Sequence, residues 1–223
     1  MHTFNTPAPV AVVLDVPAGR VRVAAADRTD TVVEVLPADA SKGRDVKAAE
    51  LIEVSHRDGV LRIEAPAAKN RILGTSGSVE VTVHLPAGSR VDAKGAAADF
   101  RSTGRLGEVT VEIAQGPVEL DEASAARLTL QSGDVTVGRL TGPAEISTQQ
   151  GDLRIAEAVR GALALRTGSG RIEVGVARGV SASLDAGTAF GRITNALKNT
   201  DGAGAAVTVR ATTTHGDITA RSL

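Results

Sequence analysis

The dominant pattern along the chain is alternation of apolar and polar residues. Val79-Glu-Val-Thr-Val-His-Leu85 alternates without a break, as do Val109-Thr-Val-Glu-Ile113 and Val207-Thr-Val209. A period of two gives a strand one buried and one wetted face. Helical periodicity is nearly absent. Its best stretch, Val46 to Val54, is short, and its second half reads equally well as a strand. Leu51 to Ile63 predicts a hairpin turning at Asp58-Gly59, a pair that tolerates the positive φ such turns need.

The second half repeats. Each unit runs apolar-x-apolar, a polar turn, Gly, one residue, then apolar-x-apolar. Leu128 to Val137, centred on Gly133-Asp134, is the clearest copy. Others centre on Gly151-Asp152, Gly170-Arg171, Gly191-Arg192 and Gly216-Asp217, and weaker ones on Gly116 and Ala98. From 98 to 216 these markers are spaced 18, 17, 18, 19, 21 and 25 residues apart. A repeat of that length, built from two short strands, predicts one coil of a solenoid.

Turn length supports the same reading. From the last apolar strand residue to the Gly the step is three (Ile113, Leu130), five (Ile146, Leu165) or seven (Leu184, Val209). Every step is odd, so side chains that face inward stay inward. In the first half, Leu14-Asp-Val-Pro17-Ala-Gly19 matches Val83-His-Leu-Pro86-Ala-Gly88. Pro removes a ladder donor and Gly permits a sharp turn, so each Pro-Ala-Gly ends one strand and starts the next. Charged loops are expected at Asp39–Lys47 and Ala65–Ser78.

The predicted fold is all-β. A β-solenoid of about six coils spans residues 91–223, behind a strand-rich N-terminal cap or β-layer over 1–90, as one continuous unit. The serial Ser/Thr-x-x-Gly-Asp-apolar-x-apolar units, with the Pro-Ala-Gly breaks, resemble the bacterial β-strand-repeat family called putative adhesins (domain of unknown function 4097). The resemblance covers about residues 10–220 and is strongest from Val79 onward. It implies a right-handed, single-stranded β-helix-like fold and no catalytic residues. The family's name implies surface exposure.

Composition narrows the chemistry. The chain has 223 residues, 42% of them hydrophobic, which is enough aliphatic surface for a core. It has no Cys, Trp or Tyr, which excludes disulfides, thiolate metal sites and cysteine nucleophiles. The formal net charge is −1, and neither half carries a basic excess or aromatic platforms, so nucleic acid is not an expected partner. The longest apolar stretch near the N-terminus is Ala8–Leu14, too short for a signal peptide or a membrane span. The expected location is cytoplasmic. Arg outnumbers Lys 20 to 5 and Ala is abundant, as in high-GC actinobacterial proteomes.

Asp134, Asp152 and Asp217 each follow a repeat glycine, and Asp99 follows Ala98. Coils stack about 4.8 Å apart, so Asp134 and Asp152 form a carboxylate pair able to hold Ca²⁺ through oxygen ligands. The same residues suit a turn, where Asp accepts from nearby backbone N–H groups and Arg171 neutralises the column one coil on. The turn is the expected role, since no Gly-Gly-x-Gly-x-Asp calcium repeat occurs. Asp beside Arg on a β-helix is also similar to the polysaccharide lyases, with Arg154 or Arg171 as the base. Against that, the chain has only Phe4, Phe100 and Phe190 as sugar platforms.

His2, His56, His84 and His215 show no zinc spacing, and His215-Gly-Asp217 lacks a nucleophile elbow. His84 sits at a polar phase and is expected to face solvent. Gly168-Ser-Gly170 and Gly202-Ala-Gly204 lack the flanks of a nucleotide loop and are expected to be turns. Phe100 and Phe190 are expected as bulky plugs in an aliphatic interior. No cofactor is expected.

The expected function is a non-enzymatic scaffold that binds a protein through a strand face or an open coil edge. The alternative is self-assembly, end to end or as a dimer, through the same edge; a Ca²⁺-dependent lyase is third. Ile218–Leu223 is the edge expected to be open, because no cap follows it in the sequence.

Overall fold

A computed structural model of the chain describes residues 1–65 and 77–223. The charged loop expected at Ala65–Ser78 therefore falls, over 66–76, outside the described residues. Strands dominate, and they stack as two parallel-rich ladders that feed one hydrophobic core.

The N-terminal strands are β1 (His2–Asn5), β2 (Ala11–Asp15), β3 (Ala18–Ala26) and β4 (Asp30–Pro37). Helix α1 (Gly43–Leu51) follows, then β5 (Glu53–Arg57), β6 (Val60–Glu64) and β7 (Val79–Pro86). The ambiguous Val46–Val54 stretch thus divides into the end of a helix and the start of a strand. β5 and β6 form the antiparallel hairpin, with Asp58 at φ 51° and Gly59 at φ 75°. The two Pro-Ala-Gly breaks work in opposite senses. Pro17-Ala-Gly19 carries the chain from the first ladder to the second, and Pro86-Ala-Gly88 carries it back.

Two long strands, β8 (Arg90–Gln115) and β9 (Val118–Ser132), run through both ladders. Shorter strands then alternate between ladders: β10 (Val135–Leu140), β11 (Ala144–Gln150), β12 (Leu153–Ala158), β13 (Gly161–Ser169), β14 (Ile172–Val176), β15 (Ala182–Phe190), β16 (Ile193–Ala196), β17 (Val207–His215) and β18 (Ile218–Ser222). β2 and β3 pair directly with β8, so both ladders continue across residue 90.

Register builds the core. In the second ladder Val81, Val21, Phe100, Val118, Val135, Leu153, Ile172 and Ile218 lie over one another, all buried. In the first ladder Val111, Leu128, Ile146, Leu165 and Ala211 make a similar column. Outward positions alternate in charge from level to level. Arg90 meets Glu108 at 3.1 Å, Arg101 meets Glu119 at 3.4 Å and Arg139 meets Glu157 at 2.7 Å. Such exposed pairs contribute little each, but they keep like charges from stacking.

The turn is more uniform than the sequence suggested. Thr148, Thr167, Thr188 and Thr213 take the inward position three residues before their glycines, where Ile113 and Leu130 stand in other coils. Counted from the last inward residue, the step is always three. The Thr167, Thr188 and Thr213 hydroxyls donate to the carbonyls of Gly151, Gly216 and Gly170 at 3.0–3.2 Å. A buried Thr is stable there because its hydroxyl is satisfied.

The levels are not stacked in sequence order. β17 pairs with β13 on one side and β15 on the other, and β18 pairs with β14 and β16. Coil 207–222 is therefore inserted between coils 161–176 and 182–196. This corrects the expected open edge at Ile218–Leu223: both flanks of β18 are already bonded. Ser181, 4% exposed, holds the connectors together. Its Oγ accepts the N–H groups of Thr200 and Asp201, each at 3.1 Å, and bonds Asn199 Oδ1 at 3.2 Å.

Two stability predictions follow from these contacts. A Cβ on Gly151, at φ 143°, would strike the carbonyl oxygen of Gly133, whereas one on Gly187 meets nothing within 4 Å. Gly151→Ala should cost about 3 kcal/mol, from backbone strain and backbone overlap, while Gly187→Ala leaves thermal unfolding unchanged. Ser181→Ala should cost about 1–2 kcal/mol by leaving N–H groups unpaired, measured by the same circular-dichroism melts.

Candidate interaction surface

The repeat turns form a continuous column along one margin of the stack. Gly116, Gly133, Gly151, Gly170 and Gly216 all have φ between 131° and 152°. Each lacks a Cβ where one would overlap a carbonyl of the level below, and Gly191 has the same close neighbour in Gly216. Backbone bonds then tie level to level. Gly133 N–H donates to Gln150, Gly151 to Ser169, Gly170 to His215 and Gly216 to Phe190, all at 2.9 Å.

The residue after each glycine extends this column outward. Asp134 Oδ1 accepts the N–H of Asp152 at 2.8 Å, Asp152 Oδ1 that of Arg171 at 2.7 Å, and Asp217 Oδ1 that of Arg192 at 2.8 Å. Asp152 Oδ2 also receives the Arg171 guanidinium at 3.1 Å. Each Asp thus caps the next level's peptide. One oxygen of Asp134 and both of Asp152 are engaged, and no group of three or more metal-ligating side chains occurs among the described residues. Arg154, weighed as a base, lies 4.0 Å from Glu173. These two line an open groove of about 410 Å³ with Arg221 and Leu223. Both arginines named for a lyase therefore sit against carboxylates.

The aromatic residues separate by role. Phe100 is fully buried, as a core plug should be. Phe190 is 67% exposed and stacks on His215 with ring centroids 4.9 Å apart, which corrects its expected place in the interior. Phe4 lies between His2 and His56, at 6.5 and 5.4 Å, at the opposite end of the stack. His84 is exposed on its strand. Gly202–Gly204 forms a single 3-10 turn, and Gly168 and Gly170 lie at the end of β13.

Among the described residues, pairing leaves outer flanks open at both ends, those of β1 and β5 at one end and those of β15 and β16 at the other. β15 and β16 form the end level, and no strand among the described residues pairs with their outer side. The inward column of the second ladder ends on Ile193, which is 44% exposed although Ile218 directly beneath it is fully buried. Leu184 and Ala186, the top of the first ladder's columns, are only partly buried. The connector after β16 covers the start of β15, where Ala182 N–H donates to Lys198 at 3.0 Å, and Leu197 packs on the core. No strand among the described residues covers the outer side of the stretch from Leu184 to Ile193. This edge was missed in the sequence; its signal was the wider marker spacing of 21 and 25 residues around Gly191.

Ionic perturbations lie away from this edge. Hydrogen bonds from Arg28 hold the Asp30 carboxyl below its ordinary value, and those from Ser41 and Lys42 do so strongly for Asp39. What these exposed carboxylates lend to stability is present above the usual carboxylate range and lost as pH falls through the lowered values. Hydrogen bonding to Asp99 raises Arg101.

A family model described as Toastrack DUF4097 matches residues 11–222. No curated protein matches the chain. Three solved structures are similar over nearly their whole length. A putative cell adhesion protein from Clostridium sporogenes shares 11% identity, at a TM-score of 0.41, covering 100% of this chain and 98% of its own. A putative adhesin from Bacteroides fragilis shares 13% at 0.47, covering 98% and 95%. Another from Parabacteroides distasonis shares 16% at 0.44, with the same coverage. No described helix is long and apolar enough to cross a membrane.

The Asp column should behave as turn chemistry. Asp152→Ala should lower stability by about 1–2 kcal/mol, through a lost charge-assisted bond to Arg171 N–H. Calcium should leave the melting temperature of the unaltered protein unchanged; a rise that Asp152→Ala abolishes would instead establish a metal site.

Proposed function

Given that the chain belongs to the Toastrack DUF4097 family, we propose that it is a non-enzymatic interaction scaffold whose binding element is the β15–β16 edge. One observation carries this reading. An apolar column buried from Val81 to Ile218 ends on a half-exposed Ile193, beside a nine-residue strand with an unpaired flank. Unpaired N–H and C=O groups beside apolar side chains favour strand addition, which supplies hydrogen bonds and burial together. Natural edges are usually guarded by Lys, Pro or a bulge. β15 has neither Lys nor Pro, and its one charged residue is Asp185.

In this reading residues 1–90 act as the N-terminal cap or layer, and 91–223 as the repeating part of one continuous unit. Asp134, Asp152 and Asp217 hold turns and do no chemistry. The alternating charges of the two ladder faces keep the sides of the stack soluble and leave the end for contact.

A photo-crosslinking side chain at Gly187 tests the reading, because an added group there meets nothing within 4 Å. The control position is Thr129, exposed in mid-ladder. Adducts in cell extract are expected from Gly187 and not from Thr129, and Ile193→Lys should remove them. Adducts from Thr129 alone, or Gly187 adducts indifferent to Ile193→Lys, would overturn the edge as the binding element.

A further inference from the structure

We propose that a cleft on the outer face of the first ladder, centred on Arg166, binds a carboxylate-bearing saccharide. The site is separate from the β15–β16 edge and stands or falls without it.

Its charge neighbours single out Arg166. On the ladder faces Arg90, Arg101, Arg127, Arg139, Arg154 and Arg210 each lie within 4.0 Å of a carboxylate on an adjoining level. Arg166 is flanked instead by Ser147 on one level and Thr212 on the other. Its guanidinium has no hydrogen-bond or ionic partner among the described residues. The carboxylates of the next column, Glu145 and Asp185, are taken by Arg127 and Arg210. Arg221 also lacks a carboxylate, but its register neighbours are Gly175 and Ala196, which offer no polar side chain.

Neutral polar groups frame the cation. Residues two apart on a strand share a face, so Gln149, Gly168 and Thr214 stand beside Ser147, Arg166 and Thr212. Gly168 keeps the centre of this frame low, since even a Cβ there would lie 2.6 Å from the Gln149 carbonyl oxygen. Gln149, Arg166, Gly168, Thr212 and Thr214 line an open cleft of about 350 Å³, a volume suited to a small ligand. The Thr212 and Thr214 hydroxyls and the Gln149 amide make no side-chain hydrogen bond among the described residues.

These groups select the ligand. A guanidinium fork matches a carboxylate with two parallel bonds. Hydroxyls and a carboxamide both donate and accept, as sugar hydroxyls do. The lining carries one cation and no carboxylate, which suits a ligand with a single negative charge, and it has no aliphatic or aromatic wall for an apolar one. A peptide finds no strand edge there, because β13 is bonded to β11 on one side and to β17 on the other. His215 follows Thr214, so the exposed Phe190–His215 stack borders the cleft and offers an apolar surface to the C–H face of a sugar ring.

Isothermal titration calorimetry at low salt tests the site, with xylobiose carrying one glucuronate as the probe. Saturable binding is expected, and its carboxyl-reduced counterpart should bind at least about tenfold more weakly. Arg166→Gln should cause a similar loss and Thr214→Val a loss of about threefold. Both variants should melt as the unaltered protein does, because neither side chain has a partner within the fold. Arg127→Gln, on the same face, should leave the affinity unchanged.

An unaltered protein that takes up no glucuronate probe would overturn the proposal, as would equal binding of the carboxyl-reduced sugar. Equal binding of a tri-glutamate peptide would assign the cleft to acidic protein segments and remove the saccharide. A loss from Arg127→Gln as large as that from Arg166→Gln would reduce the effect to general surface charge. None of these results bears on Gly187 adducts, so the edge and the cleft fail separately.

Discussion

Everything in this molecule depends on main-chain hydrogen bonding between successive coils. The bonds run from one level to the next through the turns as well as the strands, as with Val135 to Asp152 at 2.9 Å and Leu153 to Arg171 at 2.8 Å. Levels that close cannot tolerate a Cβ where the turn carbonyls point. Glycine at 133, 151, 170 and 216 is the solution, because it alone reaches the required φ and leaves the carbonyl room. Once the turns are fixed, register is fixed. Once register is fixed, each inward aliphatic side chain lies over another of its kind.

This logic explains how much was legible. Alternation and the Gly-x-apolar turn are local signals, so the all-β class, the hairpin at Asp58-Gly59 and the coil unit could be read directly. The inward threonines could not. Thr148, Thr167, Thr188 and Thr213 look like loop residues until their hydroxyls are seen bonding main-chain carbonyls. Phe190 was misplaced for the converse reason, since an apolar residue beside a turn gives no hint of which way it points.

Level order was illegible for a deeper reason. The coils share one pattern, so any of them could stack on any other, and sequence order is the simplest guess. What breaks the degeneracy is connector length. Chain that steps past one level and returns needs more residues, which is why the spacing widens to 21 and 25 around Gly191. Ser181 then pins those connectors with bonds to residues 199–201. The candidate edge exists only because of this exchange; stacked in sequence order, β15 and β16 would be interior strands.

The inserted coil also makes the molecule mechanically lopsided. A pull applied near Ser222 must draw β18 out from between β14 and β16, rupturing two ladders at once. A pull applied near His2 peels β1 from β4 alone. Load entering from the first side is gripped as by a dovetail joint, while load from the second meets a zipper. A protein that joins others while under tension would resist detachment very differently depending on which end was anchored.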